Sequence, residues 1–379
     1  MRSLSFRAAI GVAVCYLLIS AGSIYAQPTA EGVLEAAVKA LGGRDAVTKV
    51  RNLTAIADCV GPNGPYTTEI YSARGNRLIF RQVRAGNVYV GFANGDLLWT
   101  KNEKTGDHTL AGAKEAFAWR SHDYQMLAMN VAERFKQIKY EGEESYGGSA
   151  NAHKLSAVDE LGNPAALYFD KVSNLMVGFV IQHPFSERAE TIRNVFDEWK
   201  QVGKLRLPSK ATVTDKQGDF ILSFKEISIN KTDEKLFAIP PTVTAMNELL
   251  VLHNKARADH FNRDAAGLVE GFADDYASIG AGKITRPTKE ASLERFKSYF
   301  GNSTFLEWDD ITPPVIKVSN DATMGYMIVH KRVRLLSKGG DGRETEVTEV
   351  YAWVALHRKI NGIWQLTGIA STNTPEQDK

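Results

Sequence analysis

The chain has 379 residues, two cysteines and a formal net charge of +2 at pH 7, from 46 Lys and Arg against 44 Asp and Glu. This length exceeds that of one average domain, and the nearly balanced charge disfavours a general nucleic-acid binder. Hydrophobic residues make up 44% of the chain and charged residues 24%, which is typical of a globular protein and excludes low-complexity and fibrous classes.

The first 26 residues have the order of a secretory signal peptide. Arg2 and Arg7 precede an uncharged apolar run over residues 8–19, and small residues follow it up to Ala26. The run is shorter than the roughly 20 residues that a membrane-spanning helix needs. We therefore expect cleavage after Ala26 and export to the periplasm or out of the cell.

Cleavage at this position also removes Cys15, so the mature chain keeps one cysteine and cannot form an intramolecular disulfide. The remaining Cys59 lies in a strand-like run, residues 53–60, without a basic neighbour. We interpret it as a small buried residue, with a reactive thiol as the alternative.

The first half of the mature chain predicts an antiparallel meander with helices. An amphipathic helix over residues 32–41 ends at Gly42 and Gly43, which tolerate the left-handed backbone of a helix end. Strand-sized runs between turn residues follow at 53–60, 66–71, 77–82, 87–92 and 97–100. A helical stretch over 113–134 comes next, and strands resume at 154–158, 165–170, 176–182, 191–199, 207–214 and 220–229. Such an order builds a curled antiparallel sheet around helices.

Several short segments of this half carry a family resemblance. They are residues 40–43, 94–99, 154–155, 166–170, 190–191 and 202–208. In their order and spacing they resemble the outer-membrane lipoprotein carrier superfamily (LolA/LolB-like), in its lipoprotein-sorting-like branch, over about residues 31–241. The resemblance implies a half-open antiparallel barrel with helices as a lid, around an apolar cavity that takes acyl chains. It brings no catalytic residue with it.

A domain boundary is expected at about Thr242. The adjacent Pro240 and Pro241 disfavour both a helix and a central strand, and the hydrophobic periodicity differs on the two sides. Residues 27–242 carry 27 basic and 26 acidic side chains, and residues 243–379 carry 17 and 18. Neither half therefore has the charge of a nucleic-acid module.

The second half predicts two helices followed by a long-stranded sheet. A long helix over 247–274, a strand at 276–280 and a helix over 288–300 come first. Strands are then expected at 305–309, 315–318, 323–336, 345–359 and 362–371, with hairpin turns at 339–342 and 361–362. We expect an α+β cone, in which helices rest on a strongly bent antiparallel sheet.

The first of these helices combines apolar and polar residues on one face. Its apolar members recur at helical spacing, and they are Phe261, Ala265, Leu268 and Phe272. The same face continues back to Arg257, and Asp264 follows two turns later with His260 between them. This arrangement predicts a polar patch that points into a cavity. The alternative is that the first turns project beyond the sheet and leave Arg257 in water.

The strands supply further candidate ligand-binding residues. Alternation along residues 326–334 places His330 on one face, and alternation along 349–357 places Tyr351 and Trp353 together. A mixed aromatic and polar face is typical of a ligand pocket, but also of an exposed or dimer-forming face. The candidates for ligand binding are Arg257, His260, Phe261, His330, Tyr351 and Trp353.

The second half also resembles a known superfamily. The matching residues are His260, Asp264, residues 273–276, Gly280, Trp353, residues 362–364 and residues 369–371. They resemble the nuclear transport factor two-like superfamily, nearest to its SnoaL-like branch, over about residues 247–372. Its members include isomerases, dehydratases and cyclases as well as ligand binders and dimerisation modules. In the catalytic members a carboxylate near the first strand is the base and an aromatic hydroxyl polarises the substrate, which points to Asp275 and Tyr276 here.

The pattern as a whole favours an exported two-domain protein, with domains over 31–241 and 246–373, that binds a small hydrophobic molecule or lipid without catalysis. One alternative is an isomerase, dehydratase or hydrolase in the C-terminal cavity, with Asp275 or Asp264 as base and Tyr276 as hydrogen-bond donor. Another is a module that forms a homodimer. No metal, cofactor or nucleic acid is expected, because the eight histidines lack metal-ligand spacing and no phosphate loop is found.

Overall fold

The computed structural model describes residues 28–375, which form two large open sheets of 13 and six strands. Of residues 28–375, 54% lie in strands and 23% in helices. The mainly β and α+β character expected from the sequence is confirmed, while the outlines of a half-barrel and a cone stay predictions. The expected signal peptide, residues 1–26, lies outside the described residues.

The first sheet is a continuous antiparallel meander. Its strands are β1 (Asn52–Gly61), β2 (Gly64–Ala73), β3 (Arg77–Arg84), β4 (Asn87–Asn94), β5 (Leu97–Lys101), β6 (His108–Leu110), β7 (Lys136–Tyr146), β8 (Ser149–Val158), β9 (Pro164–Asp170), β10 (Met176–Gln182), β11 (Thr191–Val202), β12 (Leu205–Asp215) and β13 (Gly218–Ile229). Their spatial order runs from β6 to β1 and then from β13 to β7. The pairing of β1 with β13 therefore joins the two runs in the middle of the sheet.

Five short helices accompany this sheet: α1 (Ala30–Leu41), α2 (Arg44–Thr48), α3 (Ala113–Ser121), α4 (Tyr124–Met129) and α5 (Val131–Arg134). The helix stop expected at Gly42 is present, because its φ is 129°. A Cβ atom at Gly42 would lie 2.2 Å from the carbonyl oxygen of Lys204, so only glycine fits this helix end. The helical stretch expected over 113–134 consists of three short helices.

Helices α3 and α4 pack directly on the sheet. The ring of Trp119 lies against β4 at Gly91, where an added Cβ would come within 2.3 Å of the indole. Tyr124 is fully buried and its hydroxyl lies 3.2 Å from Oδ1 of Asn194 on β11. The amide of Gln125 donates to the carbonyl of Pro208 on β12 at 2.9 Å. These contacts fix the two helices over one face of the sheet.

Strand β7 is missing from the sequence prediction. It is the last strand of the sheet order, and its side chains alternate between charged and half-buried residues, with Lys139, Glu141 and Glu143 among the former. Charged residues are common on edge strands because they discourage pairing with another chain. Because of these charged residues, β7 has no hydrophobic run from which a strand could be predicted.

The second half contains three helices and the six-stranded sheet. Its elements are α6 (Pro241–Asn262), α7 (Ala265–Glu270), β14 (Phe272–Gly280), β15 (Lys283–Thr285), α8 (Lys289–Gly301), β16 (Ser303–Val318), β17 (Met324–Lys338), β18 (Glu344–Ile360) and β19 (Ile363–Pro375). The sheet order is β15-β14-β19-β18-β17-β16, antiparallel except for the parallel pair β14 and β19. Strand β16 was predicted as two strands, but it continues through prolines at the sheet edge, where a missing N–H is tolerated.

The first helix of this half begins and ends earlier than predicted. Pro241 occupies its first turn, where the missing N–H costs nothing, so the proline pair does not prevent a helix. The helix stops after Asn262 because Arg263 adopts a left-handed conformation with φ 56°. Asp264 then caps α7. The apolar stripe expected over 261–272 therefore does not lie on one helix.

The expected boundary at Thr242 falls inside α6. The hydroxyl of Thr242 lies 3.0 Å from Nδ1 of His108 in the first half, so the two halves are in contact there. The domain limits 31–241 and 246–373 stay predictions. One helical stretch in the described chain, Glu234–Asn262, is long and apolar enough by composition to span a membrane. Met246 and Leu249 of this stretch are nevertheless buried in the core beneath the second sheet.

Candidate functional site

A cavity of about 500 Å³ lies between the helices of the second half and the inner face of the six-stranded sheet. Most of its wall is apolar. Its aromatic lining consists of Phe272, Tyr276, Phe296, Tyr299, Trp308, Tyr351 and Trp353. Its other polar lining residues are His253, His260, His357, Arg295, Ser278 and Ser371. Among the described residues, no Asp or Glu side chain lines this cavity.

Successive side chains of a β-strand point to opposite faces of the sheet, and this alternation determines which side chains reach the cavity. On β18, Tyr351, Trp353 and His357 all face inward at even spacing, as the sequence predicted for the first two. On β17 the inward face is the one that carries Met327 and Lys331, so the exposed His330 points away from the cavity. The strand alternation was correct for both strands, but the sequence could not tell which face of β17 is the inner one.

An aromatic stack forms the floor of the cavity. The imidazole of His260 stacks on Trp308 with ring centroids 4.4 Å apart, and Trp308 lies 6.0 Å from Trp353. Burial lowers the pKa of His260 to about 4, although a hydrogen bond with the backbone of Ala256 opposes this change. His260 is therefore a neutral, largely apolar part of the wall at pH 7.

Behind this wall lies a buried charge network. Nε2 of His253 lies 2.8 Å from one carboxylate oxygen of Asp310, and Nζ of Lys331 lies 2.8 Å from the other. Lys331 is fully buried, and its ammonium group lies 3.7 Å from the centre of the Trp308 ring. We name these three residues, His253, Asp310 and Lys331, the buried network.

The network keeps Asp310 ionised. Burial alone would raise the pKa of Asp310, but hydrogen bonds from His253 and Lys331 outweigh it and hold the pKa below its ordinary value. Burial likewise lowers the pKa of Lys331, and the carboxylate of Asp310 works against that change. An ionised Asp310 accepts a hydrogen bond from Nε2 of His253, which orients the imidazole of this cavity-lining residue.

His357 is a second nearly buried histidine in the wall. It is 6% exposed, and its Nδ1 atom makes no hydrogen bond of normal geometry with the described residues. Burial lowers the pKa of His357 to about 4, although the backbone of Ala355 acts in the opposite direction. A buried polar atom of this kind is a candidate contact for a ligand group.

Four of the predicted site residues line the cavity: His260, Tyr276, Tyr351 and Trp353. Tyr276 is 4% exposed, and burial raises the pKa of its hydroxyl, which keeps it protonated and able to donate a hydrogen bond. The structure therefore brings together the aromatic part of the predicted site.

The two predicted carboxylates do not join them. Asp264 lies at the start of α7, where its side chain accepts a hydrogen bond from the backbone of Gly267 at 2.8 Å. Asp275 directly precedes Tyr276 on β14, so its side chain lies on the opposite face of the sheet, where it pairs with Arg358 at 3.1 Å. Its side chain is 63% exposed. Neither residue lines the cavity.

The predicted patch around Arg257 is also absent. Arg257 pairs with Asp309 rather than Asp264, at 2.7 Å on the protein surface. Its guanidinium group covers the ring of the exposed Phe261 at 4.7 Å. Both residues lie outside the cavity lining. Arg257 is exposed, as the alternative expected, but it lies near the end of α6 and not in its first turns, which are buried.

A second hollow of about 340 Å³ lies in the first half, between α3 and the sheet. Tyr66, Phe80, Trp119 and Phe220 contribute to its wall. The guanidinium group of Arg84, also in the wall, lies 4.4 Å from the centre of the Tyr66 ring. Cys59 lies outside this lining, is 2% exposed, and burial raises its pKa to about 11, which fits the interpretation as a small buried residue.

Comparison with solved structures finds proteins similar to both halves. A LolA superfamily protein from Nitrosomonas europaea is 12% identical, with 56% of this chain and 98% of its own chain covered and a TM-score of 0.42. A ketosteroid isomerase-like protein from Erwinia carotovora is 16% identical, and the match covers 35% of this chain and 97% of its own chain with a TM-score of 0.29. An NTF2-like protein from Cytophaga hutchinsonii is 16% identical, and the match covers 34% of this chain and 97% of its own chain with a TM-score of 0.28.

The matches include both superfamilies that the sequence resembles, whereas the branch within each stays a prediction. No protein-family model and no curated protein matches the chain. At these identities and TM-scores the likenesses carry no argument about function. Among residues 28–375, no group of three or more His, Cys, Asp or Glu side chains is placed to hold a metal ion.

Proposed function

We propose that this chain is an exported two-domain protein whose C-terminal half binds a small, mostly apolar molecule. The observation that supports this is the cavity of about 500 Å³ beneath the second sheet, with its aromatic wall and few polar groups. Ligand sites in proteins are commonly of this size and composition. The hollow of about 340 Å³ in the first half is a second place where an apolar or lipid chain would fit.

Filling the cavity tests this proposal. Ala256 lies on the inner face of α6 and lines the cavity, whereas Ala258 is exposed on the outer face of the same helix. Phenylalanine at position 256 would occupy space that the ligand needs, and phenylalanine at 258 would extend into water. The two substitutions are therefore matched in chemistry, helix and size.

The assay is fluorescence titration with the neutral apolar probe N-phenyl-1-naphthylamine, together with native mass spectrometry of the purified protein. We expect Ala256→Phe to weaken the tightest probe binding at least about tenfold, and Ala258→Phe to leave it unchanged. Probe binding that is equal in both variants, or absent in the unmodified protein, would reject the proposal. Ala118→Phe, in the wall of the N-terminal hollow, separates a second site from the first.

An enzyme is the second candidate, favoured by the position of His253. Its Nε2 atom is held by Asp310 at 2.8 Å while the residue lines the cavity, which is how a general base is oriented. Tyr276 provides a protonated hydroxyl in the same cavity. In this proposal His253 takes the role of general base that was expected for Asp264 or Asp275.

Proton exchange tests this second candidate without knowledge of the natural substrate. A small apolar ketone is incubated with the protein in D₂O, and NMR follows the loss of its α-proton signals. A cavity base accelerates this loss, and His253→Gln should remove the acceleration while ketone binding persists. If the α-protons of the ketone exchange as fast with His253→Gln as with the unmodified protein, His253 is not a base and only the binding function remains.

A further inference from the structure

We infer that the ligand of the C-terminal cavity is an organic anion, with an acidic head group at Arg295 and an apolar body inside. This inference rests on the proposed function, because it specifies the chemical class of molecule that the same cavity takes. It is carried by the charge distribution of the cavity wall.

Arg295 is the one permanent cation among the described residues that line the cavity. It projects from the middle of α8 and is exposed, with its guanidinium group 4.7 Å from the centre of the Phe296 ring. Among the described residues it forms no ion pair. The adjacent acid Glu294 pairs with Lys297, and Asp274 of β14 pairs with Lys289.

The remainder of the wall does not neutralise this cation. No carboxylate lines the cavity within the described chain, and Glu349, which approaches from β18, is bonded to the hydroxyl of Tyr351 and to the amide of Asn373. Two of the three wall histidines add no positive charge at pH 7, because burial lowers the pKa of both His260 and His357 to about 4, and the third, His253, lies against the carboxylate of Asp310. The lining thus carries one uncompensated positive charge.

Neutral hydrogen-bond donors accompany Arg295. Tyr276 and Ser278 alternate onto the same inner face of β14, and Ser371 of the neighbouring β19 lines the same cavity. The field of Arg295 reaches Tyr276, where it slightly opposes the burial that raises the pKa of this hydroxyl. A guanidinium group with nearby hydroxyls is a suitable receptor for a carboxylate or a sulfate.

The geometry also assigns an orientation to the ligand. The charged end lies at the exposed Arg295, where it keeps contact with water and avoids the cost of burying an ion. The apolar end lies against the neighbouring rings of Trp308 and Trp353. A molecule with an acid at one end and a hydrocarbon body at the other satisfies both parts of the cavity.

The test compares three ligands of equal chain length, decanoate, decyl sulfate and decan-1-ol, by isothermal titration calorimetry on the full chain. We expect the unmodified protein to bind the anions about tenfold more tightly than the alcohol, and the preference to decrease at high salt because Arg295 is exposed. A larger gain for decanoate or for decyl sulfate identifies the acid. Arg295→Gln should remove the preference and leave binding of the alcohol unchanged.

Two control substitutions make the result specific. Lys297→Gln removes an exposed cation from the same helix that does not line the cavity and should keep the preference. Arg84→Gln removes the cation of the N-terminal hollow, and loss of the preference in this variant would overturn the inference by moving the anion to that hollow. Equal binding of alcohol and anions would also overturn it, whereas failure of all three ligands to bind would reject the apolar-ligand function itself.

Discussion

Asp310→Asn is the substitution that should disturb the second half most for the smallest change in shape. Asp310 holds the ammonium group of Lys331 at 2.8 Å and the imidazole of His253 at 2.8 Å. Lys331 has no exposed surface, so water cannot replace the lost carboxylate charge. The substitution therefore leaves a cation in the protein interior without its counterion.

The magnitude follows from this burial. Removing one partner of a buried ion pair costs about 3–5 kcal/mol. The side chain of Asp310 is 24% exposed, and the amide oxygen of asparagine can still accept one hydrogen bond, so we expect about 3 kcal/mol. Lys331→Met should change stability by less than about 1 kcal/mol, because it removes the buried charge together with its desolvation cost. The double substitution should recover about 2 kcal/mol of the loss.

Urea unfolding monitored by tryptophan fluorescence measures these differences. Asp309→Asn is the matched control, because this neighbouring carboxylate is 51% exposed and pairs with Arg257 at the surface, and we expect a change below about 0.5 kcal/mol. If Asp310→Asn is as mild as Asp309→Asn, or if Lys331→Met does not rescue it, Asp310 does not compensate a buried cation.

Three further predictions concern pH, packing and assembly. The unfolding free energy should decrease by about 1.4 kcal/mol per pH unit for each of His260 and His357 as the pH falls from 6.5, the ordinary pKa of histidine, towards about 4, because only the unfolded chain takes up the proton in this range. His357→Gln should reduce this dependence on pH in urea unfolding. An unchanged dependence would contradict the effect of burial on the pKa. Gly91→Ala should lower the unfolding free energy by about 1–3 kcal/mol, because the new methyl group meets the ring of Trp119. Gly148→Ala has open space around it and should lower the unfolding free energy by less than about 1 kcal/mol. Equal thermal stability of the two variants would show that α3 moves to accommodate the methyl group. A homodimer is one alternative expected from the sequence. If the full chain dimerises through the outer face of the second sheet, Ile328→Asp, at an exposed position on β17, should convert the dimer to a monomer in sedimentation velocity, and a dimer that persists would place the interface elsewhere.

Much of the fold is accessible from the sequence because turn residues and hydrophobic runs separate its strands. The helix stop at Gly42 and the hairpin at Asn361 are local signals, and both are found in the structure. The bounds of α6 were predicted wrongly because two positions depart from common residue preferences. Proline disfavours a helix interior, but Pro241 lies in the first turn, where it is tolerated. Arg263 ends α6 in a left-handed conformation that is unusual for arginine and cannot be predicted from its side chain.

The site was only half accessible for a different reason. Tyr351 and Trp353 are visible as an aromatic alternation on one strand. The network instead joins His253 of α6 with Asp310, 57 residues further along the chain, and with Lys331, the cross-strand partner of Asp310 on β17. One signal existed: His253 and His260 are seven residues apart and therefore share a face of α6. A lysine at position 331 gives no such signal, because charged residues on strands usually face water.

The position of the buried network bears on the choice between a binder and an enzyme. An ion pair of this kind stabilises a fold little better than apolar residues of the same volume, so stability alone gives no reason for a fully buried Lys331. Its ammonium group instead touches Asp310, and Asp310 holds the one histidine of the three wall histidines whose Nε2 faces a carboxylate. Lys331 therefore keeps Asp310 ionised, and Asp310 orients the imidazole of His253 through its Nε2 atom. A general base is held in this way, whereas a binding cavity needs no such order, so Lys331→Met should leave probe affinity intact and slow α-proton exchange if the cavity is catalytic.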